Sequence, residues 1–152
     1  MTNLNGVDGD DPRTRTVVLH PYLKSGNARG RLVKSRLEEA VGLAAAIDLN
    51  VVTAEKVALA KINAGTYFGK GTVERLHELV EDHCIDLVSV DTSLSPVQQR
   101  MLEKAWNAKV IDRTGLILEI FGERAATREG VLQVELAHLD YQRSRLVRTW
   151  TH

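Results

Sequence analysis

Short apolar runs alternate along this chain with longer stretches in which apolar residues recur every three or four positions. Val17-Val18-Leu19 is β-branched and apolar, with Pro21 to stop it, and predicts a short buried strand that opens the structured region at Thr16. From Leu32 onward, Val33, Leu37, Ala40, Ala44 and Ile47 are spaced four, three, four and three, lining one face of a helix that Asp48-Leu49-Asn50 closes. Residues 51–62 mix strand formers (Val57, Leu59) with the helix-compatible pair Glu55-Lys56, and we read them as a strand. The glycines of residues 63–71 mark a loop, after which Thr72 is expected to cap a helix whose Val73, Leu76, Val80 and His83 share a face. Residues 85–90 read as a strand. In Ser95-Pro96-Val97-Gln98 the serine suits the N-cap, the proline the first helical position and the glutamine the reciprocal bond of a capping box, so a helix over 96–106 follows. Lys109-Val110-Ile111 gives another strand. Thr114 is expected to cap a helix that buries Leu116, Ile117, Ile120 and Phe121. Strict alternation of strand and helix predicts an α/β fold: a small parallel sheet with right-handed crossovers and helices on both faces.

The last segment has a different rhythm. Leu132, Leu136, Leu139, Arg143, Leu146 and Trp150 are spaced four, three, four, three and four, the seam of a two-stranded coiled coil with one polar position. A seam of this kind requires a partner helix, either in a second copy, giving self-association, or further along a longer chain, or it docks on the domain body. The predicted organisation is a disordered acidic lead-in over 1–15, an α/β domain over 16–126 and a long helix over 127–152.

Composition narrows the classes. At 152 residues and 43% hydrophobic the chain fits one domain with a real core. Lys plus Arg and Asp plus Glu are both 20, so charge-driven binding must be local. Two basic clusters stand out: Arg13, Arg15, Lys24, Arg29, Arg31, Lys34 and Arg36 near the start, and Arg143, Arg145 and Arg148 near the end. Of these, Arg29, Arg31, Lys34, Arg36, Arg143, Arg145 and Arg148 are the candidate RNA-phosphate contacts, arginine being suited to bidentate pairing. Aromatics at 5% argue against a base-stacking platform. The single cysteine, Cys84, rules out a disulfide framework and is expected to be a buried structural residue. Apolar runs fall short of the roughly 20 residues that cross a bilayer, and the start lacks the basic and apolar regions of a signal peptide, so no membrane partner and a cytoplasmic location are expected.

Candidate chemistry is sparse. Gly65-Thr66-Tyr67-Phe68-Gly69-Lys70-Gly71-Thr72 misses the phosphate-loop spacing, because three residues rather than four separate Gly65 from Gly69 and a glycine holds the hydroxyl position. Backbone amides around Gly69, Lys70, Gly71 and Thr72 could still hold a phosphate before a helix N-terminus. Asp86, Asp91 and Asp112 fall in or at the ends of predicted strands, where a parallel sheet places ligands, although for Asp91 and Asp112 local capping of the following turns is the favoured reading. Asp112-Arg113-Thr114-Gly115 has the Asp-x-x-Gly spacing of a GTPase element without a base-reading motif to accompany it. His77, His83 and Cys84 lack metal-ligand spacing. We assign no catalytic residue and no metal ligand.

Four motifs in order, Gly69-Lys70-Gly71, Asp91-Thr92-Ser93-Leu94-Ser95-Pro96-Val97-Gln98-Gln99-Arg100, Val110-Ile111-Asp112-Arg113-Thr114-Gly115-Leu116-Ile117-Leu118 and Gln133-Val134-Glu135-Leu136-Ala137, resemble the N-terminal domain of the HflX GTPases. The resemblance implies an α/β domain, then a helical hairpin whose first arm is the seam helix, then a GTPase domain in cis that binds GTP and Mg²⁺. It also implies contact with the large ribosomal subunit and its rRNA, and ribosome splitting under stress. On this reading the chain is a non-catalytic module that modulates a GTPase domain it lacks. The alternative is an independent purine-nucleotide-binding or hydrolysing domain using Lys70, Asp91 and Asp112.

Overall fold

The computed structural model describes residues 11–26 and 30–124 and, further on, the helical residues Ala137, Leu139 and Tyr141. Within them run β1 (Arg15–Leu23), α1 (Gly30–Ala46), β2 (Asn50–Leu59), α2 (Lys70–Asp82), β3 (Leu87–Val90), α3 (Pro96–Trp106), β4 (Lys109–Asp112) and α4 (Arg113–Arg124). The strands form one sheet in the order β2-β1-β3-β4, every neighbouring pair parallel. The chain moves outward from β1 to β2, then crosses back over β1 to build β3 and β4. That reversal creates a topological switch point between the carboxyl ends of β1 and β3.

Each face of the sheet carries its own core. On one face Val17, Leu19, Val88, Val90 and Val110 pack beneath Leu76 and Val80 of α2 and Leu102 and Trp106 of α3. On the other, Val18, Leu87 and Ile111 pack beneath Ala40 and Ala44 of α1 and Leu116 and Ile120 of α4. Adjacent strand residues such as Val17 and Val18 serve opposite cores because side chains alternate across a sheet. This explains why the strands read as continuous apolar runs.

β1 continues through Pro21, which pairs with Val57. Leu19 accepts the Asp91 N–H on the β3 side, and β1 pairs β3 only as far as Leu19 opposite Val90. Odd positions thus turn their backbone groups toward β3, and Pro21 stands past its end, where no N–H is required of it. Opposite Thr16 and Val17, β2 carries one extra residue, Val52, and the register shifts there as in a β-bulge.

The capping box forms as its residues predict: Ser95 Oγ accepts the Gln98 N–H at 3.0 Å and Gln98 Oε1 accepts the Ser95 N–H at 2.9 Å. Asp48 at φ 63° and Asn107 at φ 50° turn the chain out of α1 and α3 through the left-handed region, a role their short polar side chains suit.

Other expectations are corrected. α2 begins at Lys70 with Gly69 at its N-cap, so Thr72 lies inside the first turn. α4 begins at Arg113, and its cap is Asp112, whose Oδ1 accepts the Gly115 N–H at 3.0 Å. Phe121 is 56% exposed, and the buried side of α4 is carried by Leu116 and Ile120. Cys84 is exposed: it occupies the turn after α2 at φ 51°, where its N–H donates to the Glu81 carbonyl at 3.2 Å.

Candidate functional site

The carboxyl edge of the sheet gathers polar side chains from several separate elements. His20, on β1 beyond the last pair with β3, contacts Asp91 immediately after β3, with Nδ1 2.9 Å from Oδ2. Both side chains are buried, 9% and 6% exposed. Facing a carboxylate, Nδ1 acts as the donor of this bond, which fixes the orientation of the ring. Arg113, at the start of α4, places NH1 3.6 Å from the other Asp91 oxygen while its side chain remains 42% exposed. An arginine so held presents positive charge at the mouth of the switch point.

The glycine-rich loop forms the next wall. Asn63 Oδ1 accepts the N–H groups of Gly65 at 2.8 Å and Thr66 at 3.0 Å, and Asn63 and Tyr67 exchange both backbone hydrogen bonds. Gln98 of α3 donates Nε2 to the Asn63 carbonyl at 3.0 Å. Tyr67 takes φ 67°, unusual for a bulky residue, and its hydroxyl lies 3.2 Å from Thr92 Oγ1 in the β3–α3 loop. Phe68 is fully buried, 5.9 Å from Trp106 between ring centres, and fastens the loop to the core. The loop therefore enters α2 in one defined conformation.

Asp112 completes the edge. It is 1% exposed, and besides capping α4 it accepts the Leu94 N–H on Oδ2 at 3.1 Å and the Tyr141 hydroxyl on Oδ1 at 2.9 Å. Its carboxylate ties the β3–α3 loop, α4 and the segment carrying Tyr141 to one point.

The structure sorts the candidates named from sequence. Gly69, Lys70, Gly71 and Thr72 form the N-terminus of α2, with Gly69, Lys70 and Gly71 exposed and no side-chain cap on the free N–H groups. Asp91 and Asp112 lie at the carboxyl edge, but Asp86 lies at the amino edge, where it accepts the Arg15 N–H at 3.3 Å. Asp91 bonds across the sheet to His20, whereas Asp112 makes the local cap and also binds Leu94 and Tyr141. Arg31, Lys34 and Arg36 are exposed on α1, Arg31 and Lys34 one turn apart on its outer side. Arg15 is withdrawn from the basic cluster, because its guanidinium donates to the His83 carbonyl at 3.0 and 2.8 Å. Arg29, Arg143, Arg145 and Arg148 lie outside the described residues, as does the coiled-coil seam apart from Leu139, which is 54% exposed.

Sequence reasoning missed His20, Tyr67 and Arg113 as site residues. His20 had a readable signal: a histidine one residue past an apolar run, at a predicted strand end. The residues present do not fit a magnesium nucleotide of the phosphate-loop type. The spacing from Gly65 to Lys70 is short by one, and among the described residues no three His, Cys, Asp or Glu side chains converge as a cation site. Nor is any helix among the described residues long and apolar enough to cross a membrane.

Comparison with solved structures shows the fold class. A GTP-binding protein from the hyperthermophilic archaeon Sulfolobus solfataricus, solved in complex with GDP, superposes with a TM-score of 0.65 at 22% identity, over 88% of this chain and 38% of that one. Sequence comparison then gives the family. A model described as "GTP-binding GTPase N-terminal" matches residues 34–122, and one described as "GTP-binding GTPase Middle Region" matches 124–152. GTPase HflX of Magnetococcus marinus is 55% identical over 116 residues, 76% of this chain and 27% of that protein. GTPase HflX of Escherichia coli strain K12 is 40% identical over 146 residues, 95% of this chain and 33% of that protein. The chain belongs to the HflX family and corresponds to its N-terminal domain. It spans between a quarter and a third of the length of these relatives.

Proposed function

We propose that this chain is the non-catalytic N-terminal module of an HflX-type GTPase, binding the large ribosomal subunit and modulating a GTPase domain carried in cis. The observation that carries the reading is the pair of consecutive family matches over 34–122 and 124–152, in a chain that covers 27% and 33% of relatives named as GTPases. GTP and Mg²⁺ belong, on this reading, to the GTPase domain of the longer protein, and no step of hydrolysis is routed through the residues described above. Arg31 and Lys34 on the outer side of α1 supply a local positive surface in a chain of zero net charge. Phosphate contacts of this type give an affinity that falls as salt rises.

The test is co-sedimentation of the purified chain with large ribosomal subunits at two salt concentrations, with and without GTP and ATP. Salt-sensitive binding, indifferent to nucleotide and weakened by Arg31→Glu with Lys34→Glu, is the expected result. A chain that stays in the supernatant at low salt overturns direct binding. Nucleotide-dependent behaviour of the isolated chain favours instead an independent purine-nucleotide domain.

A further inference from the structure

Asp112, Gly115 and Tyr141 fit one another in a way that capping α4 does not require. The Asp112 Oδ1 that receives the Gly115 N–H also receives the Tyr141 hydroxyl at 2.9 Å, across 29 residues of sequence. The phenol lies where a side chain on Gly115 would stand: a Cβ there would come within 2.7 Å of the Tyr141 hydroxyl and 2.9 Å of its Cζ. Ile111 Cγ1, at 2.8 Å from the same point, closes the other side of the notch. Glycine thus makes room for the ring, and the buried carboxylate supplies a charged acceptor for its hydroxyl, the stronger kind of hydrogen bond. On its other oxygen the same carboxylate holds Leu94 in the loop that bears Asp91 and Thr92.

We propose that Asp112 and Gly115 form a socket and Tyr141 its key, and that this joint fixes the direction in which the helical segment bearing Ala137, Leu139 and Tyr141 leaves the α/β domain. Seating the tyrosine at the end of β4 fastens that segment to the start of α4, while the Asp112–Leu94 bond ties the same carboxylate to the switch-point loop. Tyr141 is a positioning residue. The joint is a property of this chain's own geometry; only its importance for whatever follows in longer relatives rests on the function proposed above.

The test uses the full chain and its natural label site. Cys84 is exposed, and Leu139 is 54% exposed, so Leu139→Cys gives a second spin-label position on the segment. Electron–electron distance measurement between the two is expected to give one narrow distribution. With Tyr141→Phe, which keeps the ring and loses only the hydroxyl, the distribution should at least double in width. Amide exchange of the segment around Tyr141 should accelerate about tenfold or more, the loss expected for a hydrogen bond to a charged group. Gly115→Ala should broaden the distribution and shift its centre, since the methyl takes the space of the ring. If that variant fails to fold, Tyr141→Phe alone decides the matter. An unchanged width and exchange rate in Tyr141→Phe, or a broad distribution already in the parent, overturns the proposal. Ribosome co-sedimentation does not bear on it, so the two readings fail separately.

Discussion

Replacing Phe68 by alanine should unfold this protein more readily than any change to the glycines beside it. The side chain is fully buried, packed with Leu76, Leu102 and Trp106 and edge-on to Tyr67 at 5.5 Å between ring centres. A buried aromatic removes roughly 150–250 Å² from water, which at about 25 cal/mol per Å² is worth ~4–6 kcal/mol as an upper bound. Alanine retains a little of that area and leaves a cavity beside Trp106, so the expected loss is about 3–5 kcal/mol. Against a total stability of roughly 5–15 kcal/mol the variant is marginal, and its Tm should fall by roughly 6–20 °C at about 2–4 °C per kcal/mol. Phe68→Leu, which keeps most of the volume, should cost about 1.5 kcal/mol. Urea unfolding followed by Trp106 fluorescence in a Trp150→Phe background measures both, with an unchanged denaturant slope showing that the unfolded state is not at issue. A loss below about 1 kcal/mol for Phe68→Ala would refute the reasoning. It would mean that the Asn63 turn and the Tyr67–Thr92 contact hold the loop without its anchor.

Three further outcomes follow from the same geometry. Ser95→Ala removes the acceptor for the Gln98 N–H and should lower stability by about 1 kcal/mol in urea melts, with Ser95→Asp close to the parent. His20→Ala strips Asp91 of its 2.9 Å partner and leaves the carboxylate buried, costing about 1–3 kcal/mol; if the double variant His20→Ala with Asp91→Asn loses as much as the two singles summed, the pair is not coupled. Hydrogen bonds from Arg13 lower the Asp11 carboxyl to about 2 from its ordinary 3.8. A depressed carboxylate adds stability above pH 3.8 that is lost as the pH falls toward 2, and on so exposed a pair the contribution is small and weakened by salt. Carboxyl NMR titration should return Asp11 to the ordinary range in Arg13→Ala, and an unmoved midpoint would refute the pairing.

By itself the sequence determined what depends on near neighbours. The spacing of Val33, Ala40 and Ala44 produced a helix with one buried side, and Ser95-Pro96-Val97-Gln98 set both the start and the cap of α3. Strand and helix alternation was enough for a parallel α/β sheet, because short parallel strands require crossovers and the crossovers have one hand. Four motifs in order were enough for the family. The tertiary structure decided what depends on residues far apart. Nothing local in β1 pairs His20 with a carboxylate 71 positions later; the reversal of strand order does, by bringing the ends of β1 and β3 together. Thr72 and Thr114 looked like caps because threonine suits that position, yet the chain enters α2 through a loop anchored by Phe68 and enters α4 from a strand whose last residue is itself an acceptor. Helix spacing points Phe121 to the interior and residue type points Cys84 there, yet both are exposed because burial is settled by which neighbouring element covers a position. Gly115 shows the limit most directly. In sequence it is a helix residue of poor propensity, and the phenol of Tyr141 and the side chain of Ile111, both lying against it, give the reason for the missing side chain.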